Sequence, residues 1–179
     1  MTELVKGSLK DVFKDDDISA IIETELRLVR VERENVEQRK EYIKELVEAF
    51  KKEDWVKAII ICPDYDPECE TCEEVMINIV PTYVDELERL ESKYEGGEVT
   101  PEEFYKTYGE LYTSTVRRLC IVEDKVSEKY PWEIESNISV FLADDRLASF
   151  GAKKCYVVYE KEREGREGGN DTPCQKREG

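Results

Sequence analysis

The chain has 179 residues, of which 40% are hydrophobic and 39% charged, with a formal net charge of -16 and no histidine. That length fits one domain with a sizeable core, and the apolar share excludes a wholly disordered chain. The missing histidine excludes Ser-His-Asp and Cys-His pairs, histidine metal triads and ferritin-like Glu-x-x-His motifs, and no phosphate-binding P-loop motif occurs.

The charge is unevenly spread. Residues 62–103 carry fourteen acidic against two basic residues, net -12. Such a block repels phosphate and steers towards basic surfaces, so direct nucleic-acid binding is not expected. No apolar run approaches the roughly 18 residues of a membrane span. The opening MTELVKGSLKDVFKDDD lacks the apolar core of a secretory signal, so the expected location is the cytoplasm. Asparagine and glutamine total only six while Glu, Lys and Arg abound, a thermophile-like balance that also makes intracellular disulfides admissible.

In chain order, the first ten to fifteen residues read as loosely held, and Asp15-Asp16-Asp17 as a helix cap or solvated loop. Residues 25–32, ELRLVRVE, are ambiguous. Val29 and Val31 alternate with arginines as in a strand, yet Ile22, Val29, Val36, Ile43 and Phe50 share one heptad position, as in a helix. Residues 34–53 form a helix with Val36, Ile43, Leu46, Val47 and Phe50 on one side. WVKAIIIC (55–62) and EEVMINIV (73–80) are strands by their β-branched content. A helix over 82–95 follows Pro81 and stops at Gly96-Gly97. The clearest helix opens at VTPEEF: Thr100 caps, Pro101 takes the first position and Glu103 completes a capping box. It should end near Tyr130, before Pro131. NISVFLA (137–143) and KCYVVYE (154–160) are further strands, with Asp144-Asp145 a turn and Tyr156 and Tyr159 on opposite faces. The glycine-rich residues 161–179 read as a flexible charged tail after a single globular domain, 1–160. The expected fold class is α+β, about three helices and a small sheet of short strands. The alternative is an all-α bundle with a coiled-coil-like seam.

CPDYDPECETCEE, residues 62–74, packs three cysteines and six acids into thirteen positions. Cys62, Cys69 and Cys72 are candidate zinc ligands, but only one CxxC is present and no histidine completes a tetrahedral set. Neighbouring acids raise thiol pKa, opposing both zinc and a reactive redox thiolate. An EF-hand fails, because the positions that need glycine and a bidentate acid hold Cys69 and Val75. A structural disulfide outranks each of these, Cys120 with Cys155 or Cys62 with Cys69 or Cys72; free, partly buried thiols beside a solvated loop are the commonest outcome. No metal or cofactor is expected.

Tyr105, Tyr108, Tyr112 and Phe104 cluster on the long helix beside the acidic block, and Tyr65, Tyr83 and Tyr94 lie within it. Tyrosine among acids suits a protein interface, although a stripe at helical spacing is more often core. The expected partner-binding residues are Asp64, Tyr65, Asp66, Glu68, Glu70, Glu73, Glu74 and Tyr105. Together these point to a non-enzymatic, homodimeric accessory or regulatory subunit binding a basic partner, in a ribonucleoprotein or polymerase setting. The alternatives are a nucleic-acid mimic, whose carboxylates stand in for phosphates, and a small zinc- or disulfide-stabilised enzyme.

Overall fold

β-branched runs separated by acidic helices build a five-stranded mixed sheet with helices against it. The computed structural model describes residues 3–25, 29–30, 32–65, 73–143 and 154–161. In chain order these form β1 (Glu3–Lys6), α1 (Leu9–Lys14), α2 (Asp16–Ile22), β2 (Thr24–Glu25), β3 (Val29–Arg30), α3 (Arg33–Lys51), β4 (Val56–Tyr65) and β5 (Glu73–Pro81). Then follow α4 (Tyr83–Glu95), α5 (Pro101–Ser127), α6 (Trp132–Glu135), β6 (Ile138–Leu142) and β7 (Lys154–Glu160). This is the α+β class; the all-helical alternative is not favoured.

The sheet order is β1-β7-β4-β5-β6. β4 pairs antiparallel with both β5 and β7, whereas β1 runs parallel to β7 and β6 parallel to β5. Parallel neighbours need a long crossover, supplied between β5 and β6 by α4, α5 and α6. Because side chains alternate along a strand, Ile59, Ile61, Val75, Ile77 and Ile79 share the face packed by α2 and α3. There they meet Ile18, Ile43, Leu46 and Phe50, all with no measurable exposure. Each such side chain contributes about 1.5–3 kcal/mol on burial. The opposite face holds a smaller cluster of Ile60, Cys62, Met76 and Cys155.

Polar ties fix the helices. Asp15 caps α2 by accepting from the backbone N–H groups of Asp17 and Ile18, as its sequence position led one to expect, and its other oxygen accepts from the Tyr156 hydroxyl at 2.7 Å. Burial, then that hydrogen bond, push the Tyr156 phenol up to about 12. Buried Arg39 donates to the Ile22 and Glu133 carbonyls at 2.9 and 2.7 Å, tying α3 to α2 and α6.

Several expectations are corrected. The continuous seam from Ile22 to Phe50 does not form. Ile22 ends α2, α3 starts at Arg33, and between them Thr24–Glu25 pairs antiparallel with Val29–Arg30. Glu25 and Val29–Arg30 are thus extended, but in two short paired strands and not in one run, and residues 26–28 and 31 lie outside the described residues. Residues 3–15 are held in place: β1 joins the sheet edge and α1 carries a full capping box at Ser8 and Asp11. Tyr156 and Tyr159 both pack on the main core, because a register shift between Ile59 and Ile60 inserts an extra residue in β7. Asp144 and Asp145, and the expected tail apart from Lys161, lie outside the described residues.

Candidate functional site

The acidic block continues from the sheet into a two-helix arm. Buried Tyr83 and Leu87 fix the base of α4. The chain turns through Gly96-Gly97, where Gly97 takes φ 78, a left-handed value that favours glycine. α5 then starts on the expected capping box, with Thr100 Oγ1 accepting from the Glu103 N–H and the Glu103 carboxylate accepting from the Thr100 N–H.

α5 has two unlike halves. Its buried residues are Thr115, Leu119 and Val126, and around Val122 it runs beside Ala49 in the last turn of α3 and Trp55 just before β4. No described residue of α5 before Thr115 is buried. That first half packs on α4 through rings: Tyr94 stacks on Phe104 at 4.8 Å, and Tyr105 meets Phe104 edge-on at 5.2 Å. Tyr105 nevertheless stays 64% exposed, and Tyr112 is exposed beside Tyr108. Residues 83–113 carry nine acidic against three basic residues. Among the described residues Glu91, Glu95, Glu98 and Glu102 have no ion-pair partner, while Asp85 at the base holds Lys57 at 2.9 Å.

The expected partner-binding set divides into two places. Asp64 is in register with Glu74 across β4 and β5, and the backbone of Tyr65 with that of Glu73. Asp64 and Glu74 are half-buried, and one Glu74 carboxylate oxygen is buried with no hydrogen-bond partner. Asp66, Glu68 and Glu70 lie outside the described residues. Tyr105 sits elsewhere: the arm leaves from the other end of this hairpin, where the Thr82 N–H bonds the Trp55 carbonyl just before β4. Nine to ten residues of strand span roughly 30 Å. The arm carboxylates of α4 and early α5 were absent from the expected set, although the charge block reaching residue 103 marked them.

The cysteine pairing is also corrected. Cys62 is bonded to Cys155, 93 positions away, and Cys120 is free and exposed. The register explains it. Ile61 lies opposite Tyr156, so Cys62 and Cys155 fall together across the antiparallel β4 and β7 with Cα atoms 4.5 Å apart. Both are fully buried, and Asn78 Nδ2 donates to the Ile60 carbonyl and approaches Cys62 Sγ at 3.6 Å. Cys69 and Cys72 lie outside the described residues.

Two other polar places lie away from the arm. Glu123 is raised above the ordinary carboxylate range by burial, then by the charges of Asp124 and Glu135. Glu135 is raised too, by burial and by Asp124, and burial beside these acids raises the Tyr42 phenol. No group of three or more His, Cys, Asp or Glu among the described residues is placed to hold a metal. A groove of about 650 Å³ at the ends of β1 and β7 has three lysines on its walls, each already engaged. Lys6 meets Glu160, Lys57 meets Asp85 and Lys161 donates to the Asp54 carbonyl. No helix of the described residues is long and apolar enough to cross a membrane.

Comparison of the chain with protein-family models, with curated proteins and with solved structures finds no match.

Proposed function

We propose that this protein is a non-enzymatic, cytoplasmic accessory or regulatory subunit that uses its α4–α5 arm to bind a basic partner, in the setting of a nucleic-acid-handling assembly. One observation carries the reading: Tyr105, exposed although it packs edge-on against Phe104, lies on an arm whose Glu91, Glu95, Glu98 and Glu102 have no ion-pair partner among the described residues. Tyrosine supplies contact area at low conformational cost and is enriched at binding hot spots, and unpaired surface carboxylates steer encounter with cations. The half-buried Asp64 and Glu74 offer less free charge, so the arm takes the leading role over the β4–β5 end.

The test uses a synthetic arginine- and lysine-rich peptide as the probe, titrated calorimetrically at several salt concentrations. Replacing Glu91, Glu95, Glu98 and Glu102 by Gln together with Tyr105→Ala should weaken binding more than tenfold and flatten its salt dependence. Equal affinity for parent and variant rules the arm out. A mimic would additionally have to displace DNA or RNA from the partner, whereas an accessory subunit co-assembles without competition.

A further inference from the structure

We propose that an exposed flank of α5 is a two-fold self-association surface whose occupant is a second copy of this chain in antiparallel orientation. The N-terminal half of that face carries Glu103, Thr107 and Glu110, the C-terminal half Arg118, Ile121 and Lys125, with Ser114 between them. These positions recur at steps of three and four, so they form one stripe along a 27-residue helix. All but half-buried Ser114 are exposed, and Ile121, at 62%, is among the most exposed large hydrophobic residues described.

The stripe is complementary to itself only when reversed. Setting Ser114 against Ser114 of an antiparallel copy places Glu110 opposite Arg118, Thr107 opposite Ile121 and Glu103 opposite Lys125. The two-fold axis repeats each pairing, as a closed isologous dimer requires. A parallel copy would set like charge on like. Among the described residues Glu110, Arg118 and Lys125 have no ion-pair partner within their own chain, so this charge is free to be matched. Ile121 also lines a groove of about 540 Å³ in which apolar Trp55, Val122 and Val126 lie beside charged Lys52, Glu53 and Asp54. Tyr105 is sixteen positions from Ile121, which at about 100° per residue puts it on nearly the opposite side of the helix. The dimer therefore leaves the arm's aromatic cluster open and does not depend on the basic partner proposed above.

Surface pairs of this kind are weak one at a time and screened by salt, so association should be tightest at low ionic strength. The experiment is sedimentation equilibrium of the full chain over a range of concentrations, with Glu110→Arg and Arg118→Glu as separate variants. Each alone sets like charges together twice and should raise the dimer dissociation constant at least tenfold. An equimolar mixture of the two restores both pairs and should recover a heterodimer of parental affinity. Glu103 is left intact because its carboxylate holds the α5 cap. Where either variant fails to fold, Glu110→Lys with Arg118→Asp serves instead. A parent that stays monomeric throughout, variants that dimerise as well as the parent, or a mixture that fails to recover association each overturn the proposal.

Discussion

α3 and the first half of α5 are both helices rich in glutamate, yet they do opposite work. α3 buries Tyr42, Ile43, Leu46, Val47 and Phe50, with Arg39, against the sheet and its neighbouring helices. The α5 half before Thr115 buries none of its described residues and keeps its rings stacked on α4. The difference teaches that helical periodicity alone does not report burial. Five apolar positions in α3 meet the sheet and several helices, whereas Phe104, Tyr108 and Tyr112 recur at the same spacing and meet one other helix or solvent.

This contrast can be broken most strongly at the staple of the body. Replacing both Cys62 and Cys155 by Ala opens a loop of 93 positions and should cost about 4–5 kcal/mol on a chain-entropy account, read as a lowered denaturation midpoint. A loss well under half of that would mean that native contacts between β4 and β7 already fix the strands.

The next test sets one aromatic residue of each region against the other. Phe50→Ala empties a fully buried site and should cost about 3–5 kcal/mol. Tyr105→Ala should change stability by no more than about 0.5 kcal/mol, as for an exposed position away from the core. Similar losses from the two would show that the arm is part of the folding core.

The smallest effect concerns charge. Folding raises the pKa of Glu123, so the folded state binds a proton more readily than the unfolded chain. Its destabilising contribution is full above the folded pKa and fades as pH falls towards the unfolded value. Glu123→Gln should therefore raise the melting temperature slightly at neutral pH, with the gain shrinking on acidification. A gain that grows on acidification would contradict the assigned cause.

Much of the fold was legible because its signals are local. Thr100, Pro101 and Glu103 announce α5, Gly96-Gly97 ends α4, and the β-branched runs became β4, β5, β6 and β7 with small shifts at their ends. What was not legible depends on distant pairing. The Cys62–Cys155 bond follows from β7 lying beside β4, which no spacing near either cysteine records. The bulge that turns Tyr159 inward is likewise a property of the strand pair. Thr24–Glu25 and Val29–Arg30 are too short for a period-two pattern to outweigh a heptad coincidence. The acidic site was half legible: net charge located residues 62–103, but only the fold separates Asp64 and Glu74 from Tyr105.

On the proposed reading the arm, and not the β4–β5 end, receives a basic partner. Hydrogen exchange followed by mass spectrometry, with and without the arginine- and lysine-rich peptide, tests it most directly. Slower exchange is expected in peptides covering 83–112, with unchanged exchange over 56–65 and 73–81. Protection confined to 56–81, or none anywhere at saturating peptide, would contradict it.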